Sequence, residues 1–356
     1  MWCSRTALGR LRRIAPCTVT GFHRAMSTLP KVYVTRKVPP DGLDILRKSG
    51  QVQFEMWDSD EPVPRVELLK KVKGCDGILC VLTEKIDAQL LEAAGPNLKV
   101  VSTMSVGFDH LSLDELKKSV TILACVFSRG IRVGYTPDVL TDCVAELTVA
   151  LLLATSRRLI EATHEAGEHG ELYGYVVMNL QTAQLASWDL GGLVRNGMRL
   201  KPFKVKKFIY TDVAPRPELA NMIEAEYVSF DELAKQSDFL AVCCALTPET
   251  HGICNWNLFS KMKKNAIFIN TSRGGVVNQE DLYEALSTGL IAGAGLDVTT
   301  PEPLPTHHPL FTLKNCVILP HIASASYTTR NAMSALAANN LLAGLRGEPM
   351  PKELKL

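Results

Sequence analysis

From residue 31 onward, short β-branched runs alternate with segments of helical period, separated by only a few residues each. Lys31–Thr35 reads as a strand, Pro40–Lys48 as a helix stopped at Gly50, Val52–Trp57 as a strand and Pro64–Lys73 as a helix. Gly77–Leu82, Ile86–Ala94, Leu98–Met104 and Leu113–Lys118 continue the rhythm. Alternation on such short connections predicts a parallel sheet covered by helices on both faces. A second unit opens after Tyr135-Thr136-Pro137-Asp138 with a long helix from Asp142 to about Glu165, apolar on several faces and expected between two domains. Strands follow at Lys207–Thr211, Phe239–Cys244, Ala266–Asn270, Ala292–Val298 and Val317–Leu319, with helices at Phe230–Gln236, Trp256–Lys263 and Gln279–Thr288 between them. The last helix, Thr328–Leu345, ends at Gly347 and is long enough to cross back onto the first unit.

A chain of 356 residues holds about two domains of ordinary size. Its 46% apolar and 21% charged residues exclude a disordered or collagen-like chain. No apolar run approaches the roughly 20 residues of a membrane-spanning helix. Charge is uneven. Residues 1–30 carry five arginines and no acid, and the remainder has 34 basic against 37 acidic residues, a net of −3. A body so near neutrality gives no reason to expect a nucleic acid or a membrane as partner. The leader has the composition of a mitochondrial transit peptide; a disordered tail, or a start placed upstream of Met26, reads equally well. A cytoplasmic or a mitochondrial location is the corresponding expectation. The ten cysteines include no C-x-x-C and no zinc-like spacing, so no metal is expected and the thiols read as buried and reduced.

Three segments place polar residues where strands run out into loops, the ligand-binding edge of open α/β sheets. Ser102 to Gly107 could hold a carboxylate on its backbone N–H groups, or form an ordinary turn. Ile269 to Gly275 sets Arg273 at a strand end, where its guanidinium suits bidentate capture of a carboxylate. The third combines Asp297, Glu302 and the run Leu319-Pro320-His321-Ile322-Ala323-Ser324. A histidine with a carboxylate in reach is a tunable general acid or base. Each feature alone is commonly structural; the three together point to chemistry.

The stretches STMSVGFDHL, GIRVGYTPDVLTD, FINTSRGGVVNQEDLYEAL, GLDVTTPEPLP and ILPHIASA resemble the D-2-hydroxyacid dehydrogenase family, in particular its glyoxylate/hydroxypyruvate reductases. The resemblance covers residues 31–118, 130–158 and about 200–356. It implies two doubly wound parallel-sheet domains: a flavodoxin-like substrate domain, 31–134 plus 323–356, and a Rossmann-type coenzyme domain, 135–322. It implies Arg273 as the residue that binds and polarises a 2-oxo acid, His321 as proton donor, and Glu302, 29 residues after Arg273, as its partner. The backbone at Val106 and Gly107 would hold the substrate carboxylate, with Arg273, His321 and Ser324 beside it. Ala245, Thr247, Thr271 and Asp297 would face the nicotinamide half of the cofactor. The implied cofactor is NADP, met by Arg216, or NAD, met by Asp212; the implied assembly is a homodimer.

Two places depart from the family. No window in 166–200 matches G-x-G-x-x-G, the turn that lets a pyrophosphate sit on a helix N-terminus. Gly191, Gly192 and Gly197 are wrongly spaced and no apolar strand leads into them, so the first βα unit of the coenzyme domain is expected to be irregular. The Trp-rich dimer-arm segment before it is replaced by Gly170-Glu171-Leu172-Tyr173-Gly174, and an apolar insert stands at 119–128. Both borders are sharp, as altered splicing or an imperfect gene model would leave them. A reductase and a relative impaired in cofactor binding are both consistent with this pattern.

Overall fold

The structure, a computed structural model, describes residues 29–118, 130–168, 177–181 and 183–356. The arginine-rich leader through residue 28, the insert at 119–128 and residues 170–174 lie outside the described residues.

The first unit runs β1 (Lys31–Val34), α1 (Pro40–Ser49), β2 (Gln53–Met56), α2 (Arg65–Lys71), β3 (Gly77–Cys80), α3 (Ala88–Ala94), β4 (Val100–Thr103), α4 (Leu113–Lys118) and β5 (Arg132–Gly134). The second begins with α5 (Thr141–Ser156), α6 (Leu159–Glu168), β6 (Gln184–Trp188), α7 (Leu190–Leu200), β7 (Lys207–Thr211), α8 (Pro217–Ala220) and β8 (Ala225–Tyr227). It continues through α9 (Phe230–Gln236), β9 (Phe239–Val242), α10 (Trp256–Phe259), β10 (Ile267–Asn270), α11 (Gln279–Ser287), β11 (Gly293–Leu296) and β12 (Cys316–Ile318). α12 (Tyr327–Arg346) and β13 (Glu353–Leu354) return to the first unit.

The first sheet has the order β13-β5-β4-β3-β1-β2. Its strands pair in parallel except β13, which lies antiparallel on β5 with Glu353 opposite Gly134. The sheet expected to be all parallel is therefore mixed. The chain leaving α12 arrives at this edge directly and needs no crossover helix. The second sheet is parallel throughout, in the order β12-β11-β10-β9-β6-β7-β8. From β6 the chain moves to β7 on one side and later returns to β9 on the other, which puts the topological switch beside β6. β3, β4, β9, β10 and β11 are buried along their whole length, so they read as continuous apolar runs instead of alternating ones.

α12 is the clamp on the first sheet. Ala337, Ala338, Leu341 and Leu342 pack with Val32, Val34 and Val100 in one core. Ser326 caps its start, accepting the Thr329 N–H at 3.2 Å, and Gly347 ends it at φ 73°.

Two segments differ from expectation. The single helix over Asp142–Glu165 is two: α5 ends at Ser156, Arg158 takes a φ of 52°, and α6 starts at Leu159. α5 is apolar on several faces because β10 and β11 pack on one side and α7 on another, with Leu151 and Leu152 buried. Within the stretch 166–200, expected to be irregular, the described residues 183–200 are regular: β6 leads through Asp189 into α7, which carries Gly191 and Gly192. β6 hides from a search for apolar runs because Gln184 and Ser187 interrupt Leu185 and Ala186, though Ser187 is fully buried. Among the described residues no helix is long and apolar enough to cross a membrane, and no group of His, Cys, Asp and Glu could hold a metal ion.

Asn340 pins α12 to the chain that passes between the units. It is fully buried; its Nδ2 donates to the Tyr135 carbonyl and its Oδ1 accepts from the Lys352 N–H, both at 2.9 Å. Asn340→Ala strands both backbone groups and is expected to cost about 2 kcal/mol in urea denaturation; a loss within about 0.5 kcal/mol would show the pair to be dispensable.

Candidate active site

The loops after β4, β9, β10 and β12 meet α5 and the start of α7 around a cleft of about 460 Å³. Val106, Gly107, Ala245, Thr271, Arg273, His321 and Ser324 line it. Glu302 stands behind His321, while Asp297, Thr247 and Arg216 are not part of the wall.

His321 is set by its neighbours on both sides. Its N–H donates to the Asp297 carbonyl at 2.8 Å, and it takes φ 55°, uncommon for a residue with a side chain. The next two N–H groups, of Ile322 and Ala323, donate to the two oxygens of the Asp297 carboxylate at 2.8 and 2.9 Å. Asp297 is thus a brace for the histidine loop, its side chain turned inward and fully buried. Burial raises its pKa, and the two N–H bonds partly offset that. The imidazole Nδ1 meets Glu302 Oε2 at 2.9 Å, which leaves Nε2 for the cleft. Glu302 also accepts the Thr299 N–H at 3.0 Å. Burial pushes its carboxyl up, but the bond to His321, the imidazole charge, Thr299 and Arg273 together hold it below the ordinary value.

Arg273 follows β10 in a turn stapled by Asn270, whose Nδ2 donates to the Arg273 carbonyl at 2.9 Å and whose Oδ1 accepts from Ser272. Its Nε donates to Asp109 Oδ1 at 3.0 Å and its Nη1 to the Ser272 carbonyl at 2.8 Å. Nη2 lies over Gly107, where an added Cβ would fall 1.7 Å from it. Only glycine leaves that guanidinium its place.

Asp109 and His110 were not singled out in the sequence, although both stand in the STMSVGFDHL stretch. Burial works against the Asp109 carboxylate, and Arg273 outweighs it to hold the group below its usual value. His110 Nε2 lies 3.0 Å from Thr103 Oγ1, Thr103 Oγ1 lies 2.9 Å from Ser105 Oγ, and Ser105 Oγ donates to the Gly107 carbonyl at 2.6 Å. Since the last donor is fixed, each hydroxyl passes its hydrogen toward Gly107 and the imidazole carries its proton on Nε2. Burial pushes the His110 pKa down to about 4.

On the coenzyme side, Thr271 Oγ1 meets Thr148 Oγ1 of α5 at 2.8 Å. Thr250 Oγ1 donates to the Ala245 carbonyl at 2.7 Å and closes the Leu246-Thr247-Pro248 turn. Arg216, beyond β7, donates its N–H to Tyr210 Oη at 3.0 Å, and its guanidinium lies 3.7 Å from Glu218. Asp212 Oδ1 accepts the Val213 N–H at 2.7 Å. A nicotinamide group fits the wall formed by Ala245 and Thr271 beside His321. The pyrophosphate end does not fit as well, because the N-terminus of α7 already holds the carboxylate of Asp189, which accepts the Gly192 N–H at 3.1 Å.

Residues 149–323 match the D-isomer specific 2-hydroxyacid dehydrogenase, NAD binding domain. Human glyoxylate reductase/hydroxypyruvate reductase is 57% identical over 92% of this chain and 98% of its own. The TT0316 protein of Thermus thermophilus superposes with a TM-score of 0.81 at 38% identity, covering 91% of this chain and 100% of that one. An NADPH-dependent glyoxylate/hydroxypyruvate reductase of Sinorhizobium meliloti, solved with NADP and malonate, gives 0.76 at 28% identity, over 92% and 97%. The chain belongs to the D-2-hydroxyacid dehydrogenase family, with the two α/β domains of that family.

His110 supplies a test of the loop network. Its folded pKa lies below the unfolded value of 6.5, so as pH falls the unfolded chain takes up the proton first. The contribution is therefore complete above about pH 6.5 and is lost toward pH 4, by up to ~3 kcal/mol. Urea midpoints measured between about pH 7 and pH 5 are expected to fall less in His110→Gln than in the parent; equal slopes would remove His110 from the account.

Proposed function

We propose that the chain reduces small 2-oxo acids, such as glyoxylate and hydroxypyruvate, to glycolate and D-glycerate, using a reduced nicotinamide dinucleotide. The observation that carries this reading is the convergence on one cleft of the His321–Glu302 pair, at 2.9 Å, with Arg273, whose Nη2 faces the cleft loop at Gly107. A 2-oxo acid offers a carboxylate and an adjacent carbonyl oxygen. The Val106–Gly107 backbone would take the carboxylate, and Arg273 would bridge to the carbonyl oxygen and polarise it. When bound, the reduced nicotinamide supplies the hydride at C2. His321 Nε2 gives its proton to the oxygen that becomes an alkoxide, while Glu302 holds Nδ1 and balances the imidazolium charge. Ser324 lines the same cleft.

NADPH is the form we favour; the Sinorhizobium enzyme, solved with NADP, supports it. Assembly as a homodimer draws support from Leu159 and Ile160, adjacent on α6 and each 49% exposed. Light scattering at twice the chain mass is the expected outcome, and a monomer at micromolar concentration would refute it. The reading of a relative impaired in cofactor binding rests on one observation, the Asp189 carboxylate at α7.

With glyoxylate and saturating NADPH, Arg273→Lys is expected to lower kcat/KM by about a hundredfold, because a point ammonium cannot bridge two oxygens. His321→Ala is expected to lose about a thousandfold in kcat. Turnover that survives His321→Ala would defeat the assignment.

A further inference from the structure

α7 begins where open sheets bind their ligands, on the strand beside the topological switch. Its first turn is occupied from within. Asp189 takes φ 87° and ψ 117°, and its N–H donates to the Thr211 carbonyl at 3.1 Å. Its carboxylate then folds back on the helix, accepting the Gly192 N–H at 3.1 Å. The helix start is also packed tightly. A Cβ on Gly192 would lie 2.6 Å from Cys243 Cβ, so the backbone of α7 rests directly on the end of β9. An N-cap aspartate is common at a helix start, but this one lines the cleft.

A second observation points the same way. Asn196, seven residues further along α7, lines the same cleft and is 2% exposed. Its Nδ2 lies 3.9 Å from Cys243 Sγ, and its Oδ1 is buried with no hydrogen-bond partner. This end of the cleft thus presents two acceptors, a carboxylate and an amide oxygen, beside Arg195, one of three arginines in the wall. Acceptors suit the hydroxyls of a ribose. They do not suit the oxygens of a pyrophosphate.

We propose that Asp189 is a specificity-determining residue of the nucleotide site: its carboxylate holds the α7 seat that a dinucleotide's pyrophosphate needs, so the cleft takes the nicotinamide half of the cofactor and gains little from the adenylate half. The proposal rests on the reductase reading for the identity of the nucleotide. Asp212 and Arg216, at the end of β7, act on Asp189 with opposite signs and do not empty the seat.

Calorimetric titration of the full chain separates the possibilities, with NADPH, reduced nicotinamide mononucleotide and inorganic pyrophosphate as probes. The parent is compared with Asp189→Asn, which keeps an acceptor for the cap without the charge, and Asp189→Gly, which suits the positive φ and empties the seat. The parent is expected to bind NADPH no more than about tenfold more tightly than the mononucleotide. Both variants should tighten NADPH by about tenfold or more, leave the mononucleotide within about twofold, and gain binding of pyrophosphate. Unchanged NADPH and pyrophosphate affinities in both variants, with circular dichroism showing them folded, would overturn the proposal. Failure of the mononucleotide to bind any of the three proteins would count against the reductase reading, while the pyrophosphate comparison still decides the role of Asp189.

Discussion

A buried carboxylate, Asp297, holds the loop on which the site depends. Both of its oxygens accept backbone N–H groups from the residues that follow His321. Without that pair of bonds the loop would leave two N–H groups unsatisfied next to a charge removed from water, the costliest arrangement a core can contain. With them, His321 can keep a left-handed backbone conformation that costs on the order of 1–3 kcal/mol. That conformation turns the imidazole toward Glu302. The brace is therefore structural in its bonds and functional in its consequence.

The other half of the site is assembled across the two units. Arg273 leaves the second sheet and Asp109 the first, and they are 164 residues apart in the chain. Asp109 is 41% exposed, so the ion pair adds less than about 1 kcal/mol to stability. Its value lies in direction. With Nε on Asp109 and Nη1 on the Ser272 carbonyl, the guanidinium plane is fixed, and Nη2 is the nitrogen turned toward Gly107. The relay from His110 through Thr103 and Ser105 fixes the Gly107 carbonyl from the opposite side. The arginine is thus fixed from both units, by Asp109 of the first and the Ser272 carbonyl of the second, against a backbone held within the first.

What the sequence made legible follows from this division. Strands buried on both faces stand out as apolar runs, and Lys207–Thr211, Phe230–Gln236 and Leu113–Lys118 have in the structure the bounds their residues suggest. Arg273 and His321 stand beyond strand ends, where open sheets bind ligands, and Glu302 joins them through the spacing that the family resemblance implies. Asp297 was visible as a residue but not as a brace, since its partners are backbone atoms that carry no sequence signal. Asp109 needed a contact between distant loops. β6 was missed because a central strand can bury Ser187 when its hydroxyl finds the Asp189 carbonyl, at 3.2 Å. α7 was missed because Gly191, Gly192 and Gly197 weaken any helix propensity; Gly192 and Gly197 pack where a Cβ would meet Cys243 and Ile223.

The same packing explains how the coenzyme domain keeps its shape without a glycine turn. A helix that starts at the edge of a central strand must satisfy its first N–H groups, and it must do so inside a cleft where water and cofactor compete for the role. A glycine turn leaves those groups open for a ligand. Asp189 satisfies one of them, the Gly192 N–H, from within the chain, with a left-handed φ and a carboxylate whose pKa desolvation pushes upward. The fold is served equally by either solution, because β6, α7 and their neighbours require only that the N–H groups be paired. Ligand binding is not, since an anion already in place lowers the attraction for a second. The retained architecture and the altered turn are therefore no contradiction: the constraint that builds the domain is met within the chain, and the one that would bind the pyrophosphate is separate from it.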